Sequence, residues 1–223
     1  DEDSDEDIDE DVPDDVLSLV AANGGVVMIN FNALLYVLLH ECTRDMTKFA
    51  LSKISRGMSD ARTVIRTADI CDDYEFEARV CELQFRDFAA REDFHGEVVT
   101  FSTFESNKGI MDLINQGGEG KVLIIDGRGS ARRALCGGNI AADAQAAGWA
   151  GLIFHGAIRD SHEFTGLDFG VKATHVTAMR PFRGEDAGRA NVTLNMGGIE
   201  IRQGDYCYAD RDCVIILDNP VHE

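Results

Sequence analysis

The fold of this chain is decided by residues Lys121 to Glu163, which read KVLIIDGRGSARRALCGGNIAADAQAAGWAGLIFHGAIRDSHE. The apolar run Val122–Ile125 predicts a buried strand, and helix-forming residues follow from Ile140 to Ala147. A second short apolar run, Gly151–His155, begins about thirty residues after the first, which is the usual size of a βαβ unit. We therefore expect two parallel neighbouring strands that are joined by a helix.

The carboxyl ends of these two strands are where we expect a binding site. Asp126 follows the first strand, and Arg159-Asp160 follow the second. Ligands of open parallel sheets bind in the crevice beyond the carboxyl ends of the strands. An arginine can clamp a carboxylate through two hydrogen bonds, and a neighbouring aspartate can hold a hard cation such as magnesium. The alternative is a plain surface ion pair between the two side chains.

Two glycine-rich segments lie inside this unit. The first, residues 126–130, lacks the third glycine of a dinucleotide fingerprint because Arg132 stands there, so it predicts either a tight structural turn or an anion site. The second directly precedes the helix, where backbone N–H groups and the helix dipole favour a carboxylate. The residues of this second, preferred anion site are Gly137, Gly138, Asn139 and Ile140.

Length and charge limit the classes of function. The chain has 223 residues, which is enough to bury a core, and its formal net charge is −19. An acidic surface argues against a phosphate-backbone ligand, so we expect no direct binding of nucleic acid. The six cysteines form no CxxC pair, which favours reduced thiols in a cytoplasmic protein over disulfides or a zinc site.

The part of the chain before the central unit divides into three segments. Residues 1–15 include eleven Asp or Glu, and we expect them to form a disordered tail. Residues 16–57 form an extension with a predicted helix, strand and second helix. Residues 16–39 carry no charge, but Asn and Gly residues interrupt them, so we expect no membrane span. Residues 58–223 are expected to form the main domain.

One part of the extension resembles another protein class. Its residues VPDDVLSLVAANGGVVMINF resemble a fragment of the membrane dipeptidase barrel. None of the zinc-ligand motifs of that family accompanies them, so the resemblance carries over no activity.

The remaining segments predict a β-rich flank around the βαβ unit. Thr67 is the expected N-cap of a short helix. The other predicted elements are a strand at Gly96–Phe101, a helix at Lys108–Gln116, and strands at Gly170–Val176, Asn191–Asn195, Ile199–Arg202, Tyr206–Tyr208 and Cys213–Leu217. This arrangement favours an α/β fold of layered sheets with helices on one side over a doubly wound nucleotide fold.

Four of these stretches together resemble the RraA family. They are TADICDDY, GEVVTF, the segment from KVLIIDGRGS to HGAIRD, and NMGGIEIRQGDYCYADRD. That family comprises regulators of ribonuclease E activity together with class II, metal-dependent 4-hydroxy-4-methyl-2-oxoglutarate aldolases and oxaloacetate decarboxylases. The resemblance covers about Thr67 to Leu217. It implies a swivelling-type β/β/α domain that assembles as a homotrimer or a hexamer of trimers, with sites at subunit boundaries.

The resemblance also implies roles for individual residues. Gly137–Ile140 match the backbone segment that binds a substrate carboxylate, Arg159 matches the substrate-binding arginine, and Asp160 matches the residue that holds the divalent metal, Mg²⁺ or Mn²⁺. Regulator-type members without lyase activity lack an acidic residue after the arginine, so Asp160 favours an enzyme. Many active members have Asp where this chain has Gly138.

Two hypotheses follow. The leading one is a metal-dependent lyase that acts on small 2-oxo acids with a second carboxylate and gives pyruvate, with Arg159 and Asp160 as its catalytic residues. The alternative is a non-catalytic regulator that binds and inhibits a ribonuclease resembling ribonuclease E, or its RNA helicase partner. Aldol cleavage would also need a base for the hydroxyl proton, and the sequence alone names none.

Overall fold

The computed structural model describes residues 66–182 and 187–222. The tail of residues 1–15 and the extension of residues 16–57 lie outside the described residues. The helices are α1 (Thr67–Asp73), α2 (Lys108–Ile114) and α3 (Gly138–Ala146), and a 3-10 helix spans Ser161–Phe164. Within the described ranges, no helix has the length and apolar character needed to cross a bilayer.

Twelve strands are assigned in the described residues. They are β1 (Arg79–Val80), β2 (Arg86–Asp87), β3 (Phe94–Ser102), β4 (Val122–Asp126), β5 (Ala134–Cys136), β6 (Gly151–Ile158), β7 (Gly170–Val176), β8 (Arg189–Ala190), β9 (Leu194–Met196), β10 (Ile199–Ile201), β11 (Tyr206–Ala209) and β12 (Val214–Leu217).

Ten of these strands form one mixed sheet. Its order is β1-β12-β11-β3-β4-β6-β7-β2, with β5 beside β6 and β8 beside β3, while β9 and β10 form a separate hairpin. Strands β3, β4, β6 and β7 run parallel, and β4 pairs with β6 from Val122↔Gly151 to Asp126↔His155. Because α3 lies between β4 and β6 in the chain, the predicted βαβ unit is confirmed.

Strand β4 lies between two apolar cores. Leu123 and Ile125 pack on the face that α2 and α3 cover, whereas Val122 and Ile124 pack on the face of the β9–β10 hairpin. All four side chains are fully buried, which is why the sequence reads as an unbroken apolar run instead of an alternating one. The layered α/β fold class is confirmed by this arrangement.

A buried lysine ties distant strands of the sheet together. Lys172 on β7 is 2% exposed, and its Nζ atom lies 2.5 Å from the Asp87 carboxylate and donates to the carbonyl oxygen of Asp210 at 2.6 Å. Asp210 follows β11, four places from β7 in the strand order. In a flat sheet these strands would be about 19 Å apart. The sheet therefore curls strongly, and the ammonium group bridges the two sides of the curl.

The capping of α1 differs from the prediction. Arg66 occupies the N-cap position without a side-chain bond, so the prediction of Thr67 as N-cap is wrong. Instead, the N–H and the hydroxyl of Thr67 both donate to the Asp210 carboxylate at 2.8 Å. Burial raises the pKa of Asp210, but these bonds, together with the N–H groups of Asp212 and Cys213, lower it below its ordinary value. A carboxylate from the other end of the domain thus caps the helix.

Two other predictions need correction. The expected strand Asn191–Asn195 is wrong in its first part: only Leu194 and Asn195 lie in a strand, β9, because Asn191 has a positive φ of 55° and interrupts the extended backbone after β8. Strand β5, between the predicted turn at residues 126–130 and the start of α3, was not predicted. Its three residues are too few to show a periodic pattern.

The Asp210 cap leads to a first prediction. Replacing Asp210 with Asn should destabilise the domain by about 1–3 kcal/mol, because either orientation of the amide turns an NH₂ group towards an N–H or O–H donor. Urea denaturation followed by circular dichroism measures the difference. Asp212→Asn, at an exposed side chain in the same turn, is the matched control.

The stability difference between the native protein and Asp210→Asn should depend on pH. Because the pKa of Asp210 is lowered in the folded state, its stabilisation is complete above an unfolded-state pKa of about 3.9 and is lost as the pH falls through the folded-state pKa. The stability difference between the native protein and Asp210→Asn should therefore shrink on acidification below about pH 4. A difference that grew on acidification would contradict this assignment.

Candidate active site

The start of α3 lies directly against the residues that follow β6. Arg159 is fixed there because its N–H donates to the carbonyl oxygen of Cys136 on β5 at 2.9 Å. A Cβ atom on Gly137 would be 3.1 Å from Asp160 Oδ2 and 3.6 Å from Arg159 Nε. The glycine therefore leaves room for both side chains, and the structure brings the sequence-predicted residues together at one place.

The amino terminus of α3 presents unpaired backbone donors. Gly137 is its N-cap in an extended conformation, and no side chain caps the helix. The N–H of Ala141 makes the first intrahelical bond, to the carbonyl of Gly137 at 3.2 Å. The N–H groups of Gly138, Asn139 and Ile140 precede that bond, so they have no partner within the helix. Together with the helix dipole, they form a favourable place for a carboxylate.

Asp160 has an unusual backbone. Its φ of 54° and ψ of 40° place it in the left-handed region, which non-glycine residues seldom adopt. Its side chain is 39% exposed and forms an ion pair with Arg159, with 2.9 Å between Nε and Oδ2. The ion pair expected as the alternative is thus present. It lies at the glycine-rich helix start, so it does not exclude ligand binding there.

A second carboxylate lies beside Asp160. Glu163 is in the 3-10 helix, and its N–H donates to the carbonyl of Asp160 at 2.9 Å. Its side chain covers Gly138, because a Cβ atom on that glycine would overlap the carboxylate and lie 2.5 Å from Glu163 Cβ. Glu163 was not among the site residues predicted from the sequence. The sequence feature that could have identified Glu163 is its spacing of three residues from Asp160, which places both on one short helical turn.

A cleft of about 240 Å³ borders Arg159. Its other lining residues are Asn107, Arg180, Pro181 and Phe182. None of these four was predicted from the sequence. They come from two loops that are distant in sequence, and no motif links them to the central unit.

The segment after β4 is a structural turn. The N–H groups of Gly127 and Gly129 both donate to the carbonyl of His155, and the N–H of Arg128 donates to the Asp126 carboxylate at 2.8 Å. Because these donors are already paired, the turn alternative is favoured over an anion site. Burial raises the pKa of Asp126, but the bonds from His155 Nδ1, at 2.9 Å, and from Arg128 lower it overall.

The donor atoms at the α3 start fit a hard divalent cation. Asp160 and Glu163 lie against adjacent glycines, and Mg²⁺ often uses one or two carboxylates, with water and substrate oxygens completing its shell. Among the described residues, no cluster of three or more His, Cys, Asp or Glu side chains could hold a metal. The nearby Cys136 thiol is not a candidate ligand, because burial raises its pKa far above the ordinary value.

Comparisons with known proteins agree on one family. The family profile described as RraA-like, Aldolase/RraA, matches residues 67–216. The chain is 43% identical over 155 residues to a protein of Alkalilimnicola ehrlichii provisionally named 4-hydroxy-4-methyl-2-oxoglutarate aldolase, covering 70% of this chain and 96% of that protein.

Two solved structures are similar as well. One carries the name S-adenosylmethionine:2-dimethylmenaquinone methyltransferase, from Geobacillus kaustophilus, with a TM-score of 0.69, 36% identity, and coverage of 70% of this chain and 97% of that one. The other is the RNA-processing inhibitor RraA from Thermus thermophilis, with a TM-score of 0.68, 34% identity, and coverage of 72% and 96%.

The left-handed backbone of Asp160 leads to a prediction about stability. Asp160→Gly and Asp160→Asn should leave the free energy of unfolding nearly unchanged, because both residues tolerate this conformation. Asp160→Ala should cost about 1–2 kcal/mol, because its Cβ crowds the backbone without any compensating polar contact. Urea denaturation of the three variants measures the order. An alanine variant as stable as the glycine variant would show that the positive φ is not imposed by the fold.

Proposed function

The chain belongs to the RraA-like family, and on that premise we propose that it is a divalent-metal-dependent carbon–carbon lyase. Its substrates are small 2-oxo acids that carry a second carboxylate, and its product is pyruvate. The observation that carries the proposal is the contact of Arg159 and Asp160 with the uncapped start of α3. This arrangement combines a cation-binding carboxylate with donors for an acid in one small volume.

The metal would be held by carboxylates of the 3-10 segment. Asp160 lies against Gly137, and Glu163 lies against Gly138, so both reach the start of α3. When bound there, Mg²⁺ or Mn²⁺ supplies a Lewis acid that stabilises negative charge on the 2-oxo oxygen. Position 138, often acidic in active members of the family, is glycine here, and Glu163 offers a carboxylate at the same place.

The protein donors hold the acid end of the substrate. The Arg159 guanidinium and the N–H groups of Gly138, Asn139 and Ile140 bind the carboxylate next to the 2-oxo group. Fixing that carboxylate orients the bond to be broken relative to the carbonyl.

Decarboxylation of oxaloacetate is the simpler of the two reactions. The bond between C3 and C4 breaks, carbon dioxide leaves, and the electron pair moves towards the 2-oxo group. A proton from water then completes pyruvate. No protein base is needed, so the named residues suffice for this reaction, whereas aldol cleavage of 4-hydroxy-4-methyl-2-oxoglutarate also requires one.

A non-catalytic regulator is the second candidate. The similarity to the RNA-processing inhibitor favours it, as does a surface on which Arg128 and Arg132 lie over the partly exposed ring of Phe104. Arginines and aromatic residues are enriched at protein interfaces. A partner ribonuclease or RNA helicase would bind such a surface without any need for Asp160.

The proposal also includes the oligomeric state of the protein and its location in the cell. The large apolar side chains of Met179 and Phe182 are 52% and 59% exposed, close in sequence to the cleft residue Arg180. A homotrimer, or a hexamer built from trimers, would cover apolar surface of this kind. We propose that this assembly acts in the cytoplasm.

The function is tested by measuring pyruvate release. Purified protein with Mg²⁺ should release pyruvate from oxaloacetate faster than the spontaneous reaction, and chelation should remove the excess. Asp160→Asn should lower kcat/KM by about 100-fold or more, because it removes a charged ligand while the backbone conformation stays tolerated. Asp168→Asn, at an exposed carboxylate outside the site, is the control. Absence of magnesium-dependent release from the unmodified protein would favour the regulator.

The role of Glu163 is tested by metal binding alone. Glu163→Gln should weaken Mn²⁺ binding by about 10-fold, measured from the electron paramagnetic resonance signal of free Mn²⁺. Glu163→Asp should keep part of the affinity, because it retains a carboxylate on the same short helical turn without adding atoms at Gly138. Asp143→Asn, at an exposed side chain on α3, is the matched control. Unchanged affinity in Glu163→Gln would exclude it as a ligand.

A further inference from the structure

The cleft beside Arg159 contains a second arginine. Arg159 lies between the start of α3, where Gly137 approaches its side chain, and the cleft lined by Asn107, Arg180 and Phe182. A ligand whose first carboxylate meets Arg159 and α3 can therefore extend into a space that also contains Arg180. The cleft volume of about 240 Å³ is smaller than the range of about 300–1,000 Å³ typical of drug-sized ligands. A small acid suits this volume.

The backbone that carries Arg180 is fixed on both sides. The N–H of Ala134 donates to the carbonyl of Met179 at 2.9 Å, and the N–H of Phe182 donates to the carbonyl of Glu105 at 2.7 Å. Arg133 Nη1 donates to the carbonyl of Arg180 itself at 3.1 Å. These bonds order the segment before any ligand binds, so holding a ligand there costs little further ordering.

The local charges leave Arg180 available for an anion. The nearby Glu105 carboxylate accepts hydrogen bonds at 2.7 Å from the Ser130 hydroxyl and from Arg132 Nε. The Ser130 bond and the contacts with Arg132 and Arg133 lower the pKa of Glu105 despite its desolvation. No ion pair joins Arg180 to a carboxylate within residues 66–182 and 187–222. Among the described residues, the cleft lining thus includes two guanidinium groups and no carboxylate.

We propose that Arg180 binds the second carboxylate of the substrate and makes the site selective for dicarboxylic 2-oxo acids. Asn107 adds an amide donor, and the ring of Phe182, over which Arg133 lies at 5.6 Å, forms an apolar wall for the carbon chain. This assignment rests on the proposed function for the identity of the first carboxylate site. It adds a residue that determines which acids are accepted.

The test compares two acids of equal chain length in the presence of Mg²⁺. Isothermal titration should give about 10- to 100-fold tighter binding of 2-oxoglutarate than of 2-oxopentanoate, which lacks the second carboxylate. Arg180→Gln should abolish that preference while leaving the affinity for 2-oxopentanoate unchanged. Arg180→Lys should keep part of the preference, because lysine retains the positive charge but lacks the planar guanidinium that forms two parallel hydrogen bonds with a carboxylate. Arg211→Gln, at an exposed arginine outside the cleft lining, should keep the full preference.

The outcomes separate this inference from the lyase proposal. If the protein releases no pyruvate but Arg180→Gln still loses the preference, the carboxylate site stands and the reaction is wrong. If pyruvate is released and Arg180→Gln keeps both the preference and the KM for oxaloacetate, the lyase stands and the role of Arg180 is refuted. A loss of affinity for both acids in Arg180→Gln, with an unchanged far-ultraviolet spectrum, would also refute selective binding of the second carboxylate.

Discussion

The close approach of the 3-10 segment to the start of α3 is the constraint on which the site depends. Gly137 and Gly138 have no side chains, so Arg159, Asp160 and Glu163 can lie over the helix amino terminus. Parallel pairing of β4 with β6 determines where on the sheet edge that segment begins. The hydrogen bond from the Arg159 N–H to the Cys136 carbonyl on β5 then fixes the path of its backbone. With larger residues at the helix start, the amides would be covered and the two carboxylates displaced.

The parts of the fold that follow from local pattern could be predicted, and those that depend on distant contacts could not. The βαβ unit was predictable because an apolar strand, a glycine-rich turn and a helix-forming run occur in order. The capping of Thr67 by Asp210 was not, because the two residues are separated by 143 positions. In the candidate site, adjacency and family resemblance point to Arg159 and Asp160, and spacing could have pointed to Glu163. Arg180 comes close to Arg159 only through the folded geometry.

The charge of the whole chain and the charge of the described cleft lining differ in sign. The net charge of −19 correctly describes an acidic protein, yet the cleft lining includes Arg159 and Arg180, and Arg132 and Arg133 neutralise Glu105 nearby. Composition averages over the surface, while a ligand responds to the groups within about one Debye length, roughly 8 Å at physiological salt. An acidic protein can therefore repel polyanions in general and still hold a small dianion.

The left-handed backbone at Asp160 has an evolutionary consequence. Residues that fit this conformation without strain are chiefly glycine, asparagine and aspartate, and each aspartate codon is one base change from an asparagine codon and from a glycine codon. A gene could therefore lose the carboxylate that we propose binds the cation, or regain it, through a single mutation that leaves the scaffold intact. A fold with this property can supply both catalysts and inert binding proteins to the same lineage, as the two kinds of protein within this family suggest.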